Sequence, residues 1–238
     1  GQPGPYFDTS YYASRRPDVL EGESSLLANY ENEGAFACET PNVYFDPTWY
    51  ASQLTEEVGK VDLFLHYLDK GWRSKIAPSP YFDINWYLKV NIDVAAAGIE
   101  PLKHYIEYGH REGRKPNPYF DLQYYLSTNE DVARSGIEPL KHYICSGWRE
   151  NNRQPNAYFN KDWYRKNHMT PNEDGQDALY HYLTQGSFKN FTTSPDFDPK
   201  FYLLQSPEIS EKDNIFNHFI TVGQEAGRRP NAQVPKSV

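Results

Sequence analysis

The sequence predicts an all-α fold: a solenoid of six helical repeats of about 38 residues, built from short helices and proline-rich connectors. Two recurring features predict it. A Tyr-Phe-Asp motif, with small variations, places its phenylalanine at positions 7, 45, 82, 120, 159 and 197. A glycine recurs at 34, 71, 109, 147, 186 and 223, five residues after the histidine of a His-Tyr motif in most repeats. One such unit cannot bury its aromatic face alone, whereas stacked neighbours can.

The register of these motifs sets the predicted repeat boundaries. We expect repeats at 1–40 (an N-terminal cap), 41–77, 78–115, 116–154, 155–192 and 193–230, with a tail at 231–238. Repeat one has Glu31 where the other repeats have an apolar residue, which suits a cap. A seventh connector begins at Pro230 and lacks the phenylalanine, so we expect the array to end there.

The elements of one repeat follow from its residues, as repeat three shows. Asp83 is predicted to cap the first helix, which buries Tyr87. A very short second helix is expected to stop at Gly98. Pro101 suits the first position of the third helix, where its missing amide costs nothing. Gly109 is predicted to supply a left-handed C-terminal cap.

Composition excludes several classes of function. With 24 Lys+Arg against 32 Asp+Glu, the net charge of -8 argues against nucleic-acid binding. No apolar run approaches the roughly 18 residues that a membrane span needs. The aromatic share of 16% argues against disorder.

Because the only methionine is Met169, we expect the chain to be a processed protein or, preferably, an excised segment.

Five histidines share one repeat position and invite a metal hypothesis. Equivalent positions of stacked helices lie about 8–10 Å apart, too far for two histidines to share a zinc ion. We therefore predict no metal and no cofactor, and expect these histidines to form hydrogen bonds between repeats. Repeat one has Asn29 at this position, which keeps hydrogen-bonding capacity.

The sequence has no phosphate-binding glycine loop, no Gly-x-Ser-x-Gly and no His-Glu-x-x-His. Asp196-Phe197-Asp198 resembles the Asp-x-Asp motif of glycosyltransferases, but its register makes Phe197 the repeat phenylalanine and Asp198 a helix cap. No catalytic residue is predicted.

The candidate ligand-binding residues directly follow the repeat glycine, where the repeats differ. Three middle repeats carry an aromatic ring followed by arginine: Trp72 and Arg73, His110 and Arg111, Trp148 and Arg149. Such pairs suit a glycan, an anionic group or a protein hot spot. The alternative is that they cover the turn and pair with neighbouring acids.

The repeats resemble a bacterial repeat of the form Phe-Asp-x-x-x-Tyr-Leu-x-x-Asn-Pro-Asp-Val-Ala, then Pro-Leu-x-His-Tyr and Gly-x-x-Glu-Gly-Arg. The resemblance is closest at 81–118 and 119–150, although Ile92 and Glu130 replace the proline. Such repeats are typically found beside glycosyltransferase and other surface-polysaccharide domains. The resemblance therefore implies a context of bacterial surface glycan assembly, and it carries over no catalytic residues.

These observations together predict a non-catalytic module that recognises glycans or proteins, appended to a glycosyltransferase. Its expected partners are a polysaccharide or other domains of the parent protein, with no nucleic acid and no membrane span. Two alternatives stay open: a structural spacer with no ligand, and an accessory part of a glycosyltransferase assembly. The compartment is left open between the bacterial cell envelope and the cytoplasmic face.

Overall fold

A computed structural model describes residues 5–19, 23–55, 61–173 and 175–233, so the end of the predicted tail, 234–238, lies outside the described residues. Within these ranges the chain is helical and contains no β-strand, only isolated bridges between Ser79 and Phe82 and between Asn156 and Phe159. The predicted all-α class is confirmed for this part of the chain. The chain forms two compact units, Gly1–Asn117 and Pro118–Val238.

The first unit contains short helices joined by turns. They are α1 (Thr9–Arg15), α2 (Glu23–Asn32), α3 (Pro47–Ser52), α4 (Leu63–His66), α5 (Ile84–Val90), α6 (Ile92–Ala97) and α7 (Pro101–His104). Helices α4 and α7 continue into π-helical turns at Tyr67–Gly71 and Tyr105–Gly109, and α2 is followed by a 3₁₀ turn at Gly34–Ala37.

The second unit also contains short helices joined by turns. Its helices are α8 (Leu122–Thr128), α9 (Glu130–Ser135), α10 (Pro139–Cys145), α11 (Lys161–His168), α12 (Ala178–His181), α13 (Pro199–Leu203) and α14 (Ile215–His218). Helices α12 and α14 continue into π-helical turns at Tyr182–Gly186 and Phe219–Gly223, whereas α10 is followed by a 3₁₀ turn at Gly147–Arg149. A further 3₁₀ turn spans Pro171–Glu173.

The predicted N-terminal helix caps are confirmed. The first helix of each repeat is capped by an Asp or Asn side chain that accepts from backbone amides of the first turn; these caps are Asp8, Asp46, Asp83, Asp121, Asn160 and Asp198. Pro101 occupies the first turn of α7, and Gly98, with φ of 64°, ends α6 in the left-handed region. Local residue chemistry thus defines where these helices begin.

The core of each repeat is a buried tyrosine on the first helix. These residues are at most 1% exposed: Tyr12, Tyr50, Tyr87, Tyr125, Tyr164 and Tyr202. In repeat three, the Tyr87 ring packs 5.1 Å from the Phe82 ring, and its hydroxyl lies 2.9 Å from His104 Nδ1. The same tyrosine–histidine bond recurs at 2.8–2.9 Å in repeats two, four, five and six, and Asn29 replaces the histidine in repeat one. The prediction that these histidines bond between repeats was wrong, because each bonds within its own repeat.

The repeat glycine has a different role from the predicted one. A Cβ added to Gly109 would overlap the Tyr87 hydroxyl, and the glycines of the other repeats face their own tyrosines in the same way. The left-handed backbone lies four or five residues later, at Cys38, Lys75, Gly113, Asn152, Asn190 and Gly227. The prediction of a left-handed cap at Gly109 was therefore wrong: this glycine is needed because the tyrosine approaches its backbone too closely for any side chain.

A second contact links the residues after the first helix to those after the repeat glycine, and its two partners differ together between repeats. Arg114 binds Asn91 and Asp93 with N···O distances of 2.7–3.1 Å. In repeat one the arginine stands on the other side of the contact: Arg16 takes the place of Asn91 and Glu39 that of Arg114, and Arg16 Nη1 lies 2.8 Å from Glu39 Oε1. In repeat five the pair is instead an aromatic stack, His168 on Phe191, with centroids 4.4 Å apart. The contact is kept while its chemistry changes.

Consecutive repeats of the same unit are joined by hydrogen bonds. The amide of each first-helix cap donates to a carbonyl at the end of the following connector; Asp46 N to Pro78 O, at 2.9 Å, is one example. The tyrosine next to the repeat histidine supplies a second link. Tyr67 Oη donates to Glu100, which caps α7, and Tyr143 Oη donates to Asp177, which caps α12. The inter-repeat bond expected of the histidine thus belongs to its neighbour.

The contact between tyrosine and glycine can be tested by a double-mutant cycle. Gly109→Ala should lower the free energy of unfolding by about 1–3 kcal/mol, because the new methyl overlaps the Tyr87 hydroxyl. Tyr87→Phe removes that hydroxyl, so the double variant should be less destabilised than the sum of the single variants, by about 1 kcal/mol. Urea unfolding, followed by tryptophan fluorescence, measures the free energy of unfolding of each variant. Gly98→Ala, whose Cβ would meet nothing within 4 Å, should show no coupling with Tyr87→Phe. Additive effects at Gly109 would contradict the contact.

The left-handed positions allow a stabilising substitution. Lys75 has φ of 59°, whereas two other repeats carry glycine at the corresponding position, Gly113 and Gly227. Lys75→Gly should raise the free energy of unfolding by about 0.5–1 kcal/mol, because the relief of left-handed strain exceeds the entropic cost of glycine. Gly113→Lys should lower it by a similar amount. Thermal unfolding of both variants checks the pair, and a loss of stability in Lys75→Gly would show that the strain argument is wrong.

Candidate functional site

The predicted ligand residues of the first unit lie at the turns that follow the repeat glycine. The Arg73 guanidinium lies over the Trp72 ring, 4.5 Å from its centroid, and donates to Asp69 O at 2.7 Å. Trp72 Nε1 donates to Leu68 O at 3.1 Å. His110 is half-buried with its ring edge toward Tyr105, and Arg111 is exposed. The Trp72 pair therefore has the internal contacts expected of residues that cover a turn.

Trp148, in the second unit, has cationic neighbours from two repeats. Two guanidinium groups lie over its ring, that of Arg149 at 4.0 Å and that of Arg165 at 5.6 Å from the centroid. Arg149 comes from the 3₁₀ turn after α10, and Arg165 from α11 of the next repeat. Two successive repeats thus place cations on one aromatic ring.

These residues line a cavity of about 350 Å³. Its lining includes Trp148, Arg149, Glu150, Lys161, Asp162 and Arg165. Pockets that bind small molecules begin at about 300 Å³, so the size suits a small ligand or the end of a longer one. The Glu150 carboxylate lies 2.8 Å from Arg153 Nε, so its charge is already paired. This cavity is the candidate functional site.

Lys161 holds one wall of the cavity in place. Its side chain is buried, and Nζ donates to the carbonyls of Gly147 at 3.1 Å, of Trp148 at 3.0 Å and of Glu150. Burial lowers the pKa of this ammonium below its usual value. Because three carbonyl acceptors satisfy its donors, Lys161 acts on the turn that carries Trp148 and Arg149.

Sequence reasoning identified Trp148 and Arg149 but missed Lys161 and Arg165. A signal was nevertheless present. At the positions two and six residues after the repeat phenylalanine, the other repeats carry Thr, Pro, Ile, Leu or Ala. Repeat four is also the one with 11 residues, and not 10, between its glycine (147) and the next repeat phenylalanine (159). The departures from the repeat converge on this cavity.

The repeat histidines do not form a metal site. The described part of the chain holds no group of three or more His, Cys, Asp or Glu side chains placed to bind a metal ion. In repeat five, the Glu173 carboxylate lies 3.5 Å from His181 Nε2, which favours a proton on Nε2 and leaves Nδ1 to accept from Tyr164. Burial lowers the pKa of His181 despite the nearby carboxylate, and it also lowers the pKa of His142 and His168. Burial thus favours the neutral form of His142 and His181, whose Nδ1 atoms lie 2.9 and 2.8 Å from tyrosine hydroxyls.

The Asp-x-Asp string has the structural role that its register predicts. Phe197 is buried, and the Asp198 carboxylate accepts from the amides of Lys200 and Phe201 at the start of α13. This carboxylate is engaged as a helix cap.

The chain matches no family model, no curated protein and no solved structure. None of the helices in the described ranges combines the length and the hydropathy of a membrane-spanning segment.

The histidine bonds predict a pH dependence of stability. Because the folded chain lowers the pKa of His142, His168 and His181, the unfolded chain binds more protons, and the free energy of unfolding should fall as pH drops below about 6.5. His181→Asn keeps an acceptor, as Asn29 does for Tyr12, and removes a titrating ring. This variant should lose less stability than the wild type between about pH 7 and about pH 5.

The matched control for this pH series is His181→Phe, which also removes the titrating ring but leaves the Tyr164 hydroxyl unpaired. It should be less stable than His181→Asn at every pH, by about 1–3 kcal/mol. Urea unfolding at a series of pH values measures both effects. An Asn variant with the same pH slope as the wild type would contradict the assignment.

Proposed function

We propose that the six repeats form one α-helical solenoid. Its support is the recurrence, in each unit, of the same links between consecutive repeats: a cap amide to a connector carbonyl, and a tyrosine hydroxyl to the next helix cap. Contacts between sequence neighbours are what an array without a central core requires. The six repeat boundaries predicted from the motif register are part of this proposal.

We also propose that the chain is a non-catalytic recognition module that binds a glycan through the cavity at Trp148. The observation that carries this proposal is the convergence of an aromatic ring, Arg149 and Arg165 on one cavity, at the place where the sequence departs from its own repeat. Aromatic and arginine side chains provide apolar contact and directed hydrogen bonds together, the combination that small-molecule sites use. The predicted ligand residues of the first unit, Trp72, Arg73, His110 and Arg111, are a second candidate binding surface, called the ridge here.

The bacterial context rests on the resemblance of the repeats to those found beside glycosyltransferase and surface-polysaccharide domains. In that context the module binds the polysaccharide, or other domains of the parent protein, and positions a neighbouring enzyme. The alternatives are a spacer without a ligand and an accessory part of a glycosyltransferase assembly. Binding by this chain alone separates the recognition module from the spacer.

Glycan binding by the whole chain tests the proposal. On an array of bacterial polysaccharide fragments, wild-type protein should bind, and Trp148→Ala should reduce the signal at least about tenfold, a loss of the size that hot-spot residues show. Trp72→Ala, the same change at the same repeat position, separates the cavity from the ridge. Equal losses in both variants would favour the ridge. Absence of binding by the wild type, or an unchanged signal in Trp148→Ala, would overturn recognition at this cavity.

A further inference from the structure

A second cavity, of about 450 Å³, lies in the first unit between repeats one and two. Its volume is within the range of pockets that bind small molecules. The ring centroids of Phe7 and Tyr30 lie 5.8 Å apart, and those of Tyr6 and Phe64 lie 5.5 Å apart. Both repeats contribute aromatic side chains to its lining: Tyr6, Phe7, Tyr30, Phe36 and Phe64. Contacts between these rings hold an aromatic wall in place around the cavity.

The charged side chains that line this second cavity are the carboxylates of Glu31 and Asp62. Glu31 stands where the other repeats have leucine or isoleucine, so the sequence departs from its repeat at this wall. Of the described residues in the lining, none is a lysine, arginine or histidine. Neither carboxylate forms an ion pair within the described ranges. A cavity with charge of one sign attracts ligands of the other sign, so this one favours a cation.

The Tyr30 hydroxyl lacks the partner that its counterparts have. In repeat two, Tyr67 donates to Glu100, the cap of α7 in the next repeat. The corresponding cap for Tyr30 is Asp62, at the start of α4, and the described residues give the Tyr30 hydroxyl no hydrogen bond to this or any other group. Tyr30 is nevertheless only 5% exposed, and it lines the cavity. A buried hydroxyl without a partner has a cost in free energy, which a ligand in the cavity can offset.

Asp62 also has an acceptor left for a ligand. Its Oδ1 atom accepts from the amides of Phe64 and Leu65, and its Oδ2 atom accepts from no group in the described part of the chain. Burial and the nearby charge of Asp62 raise the pKa of the Tyr30 hydroxyl, which therefore stays protonated at neutral pH. The hydroxyl oxygen and the carboxylate can both accept from an N–H donor, and the faces of aromatic rings attract a cation.

We propose that this second cavity binds a small organic ammonium ion, a protonated amine with an apolar body. The ammonium group donates to the Tyr30 hydroxyl and to Asp62, and Glu31 adds negative charge at the exposed side. The apolar body packs against Phe36, which is 50% exposed and would be covered by the ligand. This inference does not rest on glycan recognition at Trp148.

Calorimetry on the full chain tests the inference with phenethylamine and with phenethyl alcohol, a neutral molecule of similar shape. At neutral pH the amine should bind at least about tenfold more tightly than the alcohol, because a hydrogen bond from a charged donor is the stronger one. Higher salt should weaken the binding of the amine and not that of the alcohol.

Two variants remove the acceptors one at a time. Asn214 caps α14 at the position that corresponds to Asp62, so Asp62→Asn keeps the cap and removes the charge. It should weaken phenethylamine binding about tenfold, because a charged acceptor is lost. Tyr30→Phe keeps the ring and removes the hydroxyl, and it should weaken phenethylamine binding about threefold.

Asp83→Asn is the matched control. Asp83 caps α5 in the same unit and lies outside the residues that line the cavity, and Asn160 caps the corresponding helix of repeat five. This variant should leave the affinity for phenethylamine within about twofold, because salt screens charges that do not touch the ligand. Circular dichroism and the urea midpoint confirm that each variant is folded.

The outcomes separate this inference from the proposed function. Tighter binding of the amine that is lost in Asp62→Asn and kept in Asp83→Asn would support the ammonium site. Absence of amine binding, equal affinity for amine and alcohol, or equal losses in Asp62→Asn and Asp83→Asn would overturn it and leave glycan recognition standing. Trp148→Ala should leave phenethylamine binding unchanged, and a loss in this variant would also overturn the inference.

Discussion

The contact on which the rest of the chain depends is a buried tyrosine hydroxyl held between a histidine ring and a glycine backbone. In repeat three these residues are Tyr87, His104 and Gly109, and the arrangement recurs in repeats two, four, five and six. The helices that meet there have only four to eight residues, too short to be stable alone in water. Their stability must come from packing, and the tyrosine supplies it twice: its ring fills the core, and its hydroxyl satisfies the histidine. A larger residue at the glycine would separate the two helices that the bond joins.

Single side chains with two structural roles also join one repeat to the next. Glu100 caps α7 through the amides of Leu102 and Lys103, and it also accepts from Tyr67 of the preceding repeat. One carboxylate therefore starts a helix and binds a neighbour, which it can do because an ionised carboxylate accepts several hydrogen bonds. This arrangement explains the composition of the chain. The core is built from tyrosine rings, and each buried hydroxyl needs a hydrogen-bond partner. Histidines and acids supply these partners, where a conventional core has aliphatic residues.

Residues that act on their own local backbone could be predicted from the sequence, whereas residues that act through a distant partner could not. Asp83 and Pro101 begin their helices as predicted, because capping depends on the next few residues. Gly109 was misinterpreted because its requirement is set by a side chain on another helix, although a glycine at a helix end is usually a left-handed cap. For the same reason, Trp148 and Arg149 of the cavity were predicted and Lys161 and Arg165 were not. Trp148 lies in one repeat and Arg165 in the next, and only a comparison of equivalent positions across repeats indicates that they belong together.

Departures from the repeat differ in what they do to contacts, and this difference separates structural changes from functional ones. In repeat one, Arg16 and Glu39 stand where repeat three has Asn91 and Arg114, so two positions change together and the contact between them is kept. The stack of His168 on Phe191 is another such paired change. Such pairs need no ligand to explain them. Arg165 and Lys161 are different, because they bring charge to positions that are uncharged in the other repeats and place it around a cavity. Burying Lys161 has a desolvation cost that an aliphatic residue would avoid. The chain carries this cost at one turn only, and this supports the proposed recognition at the cavity.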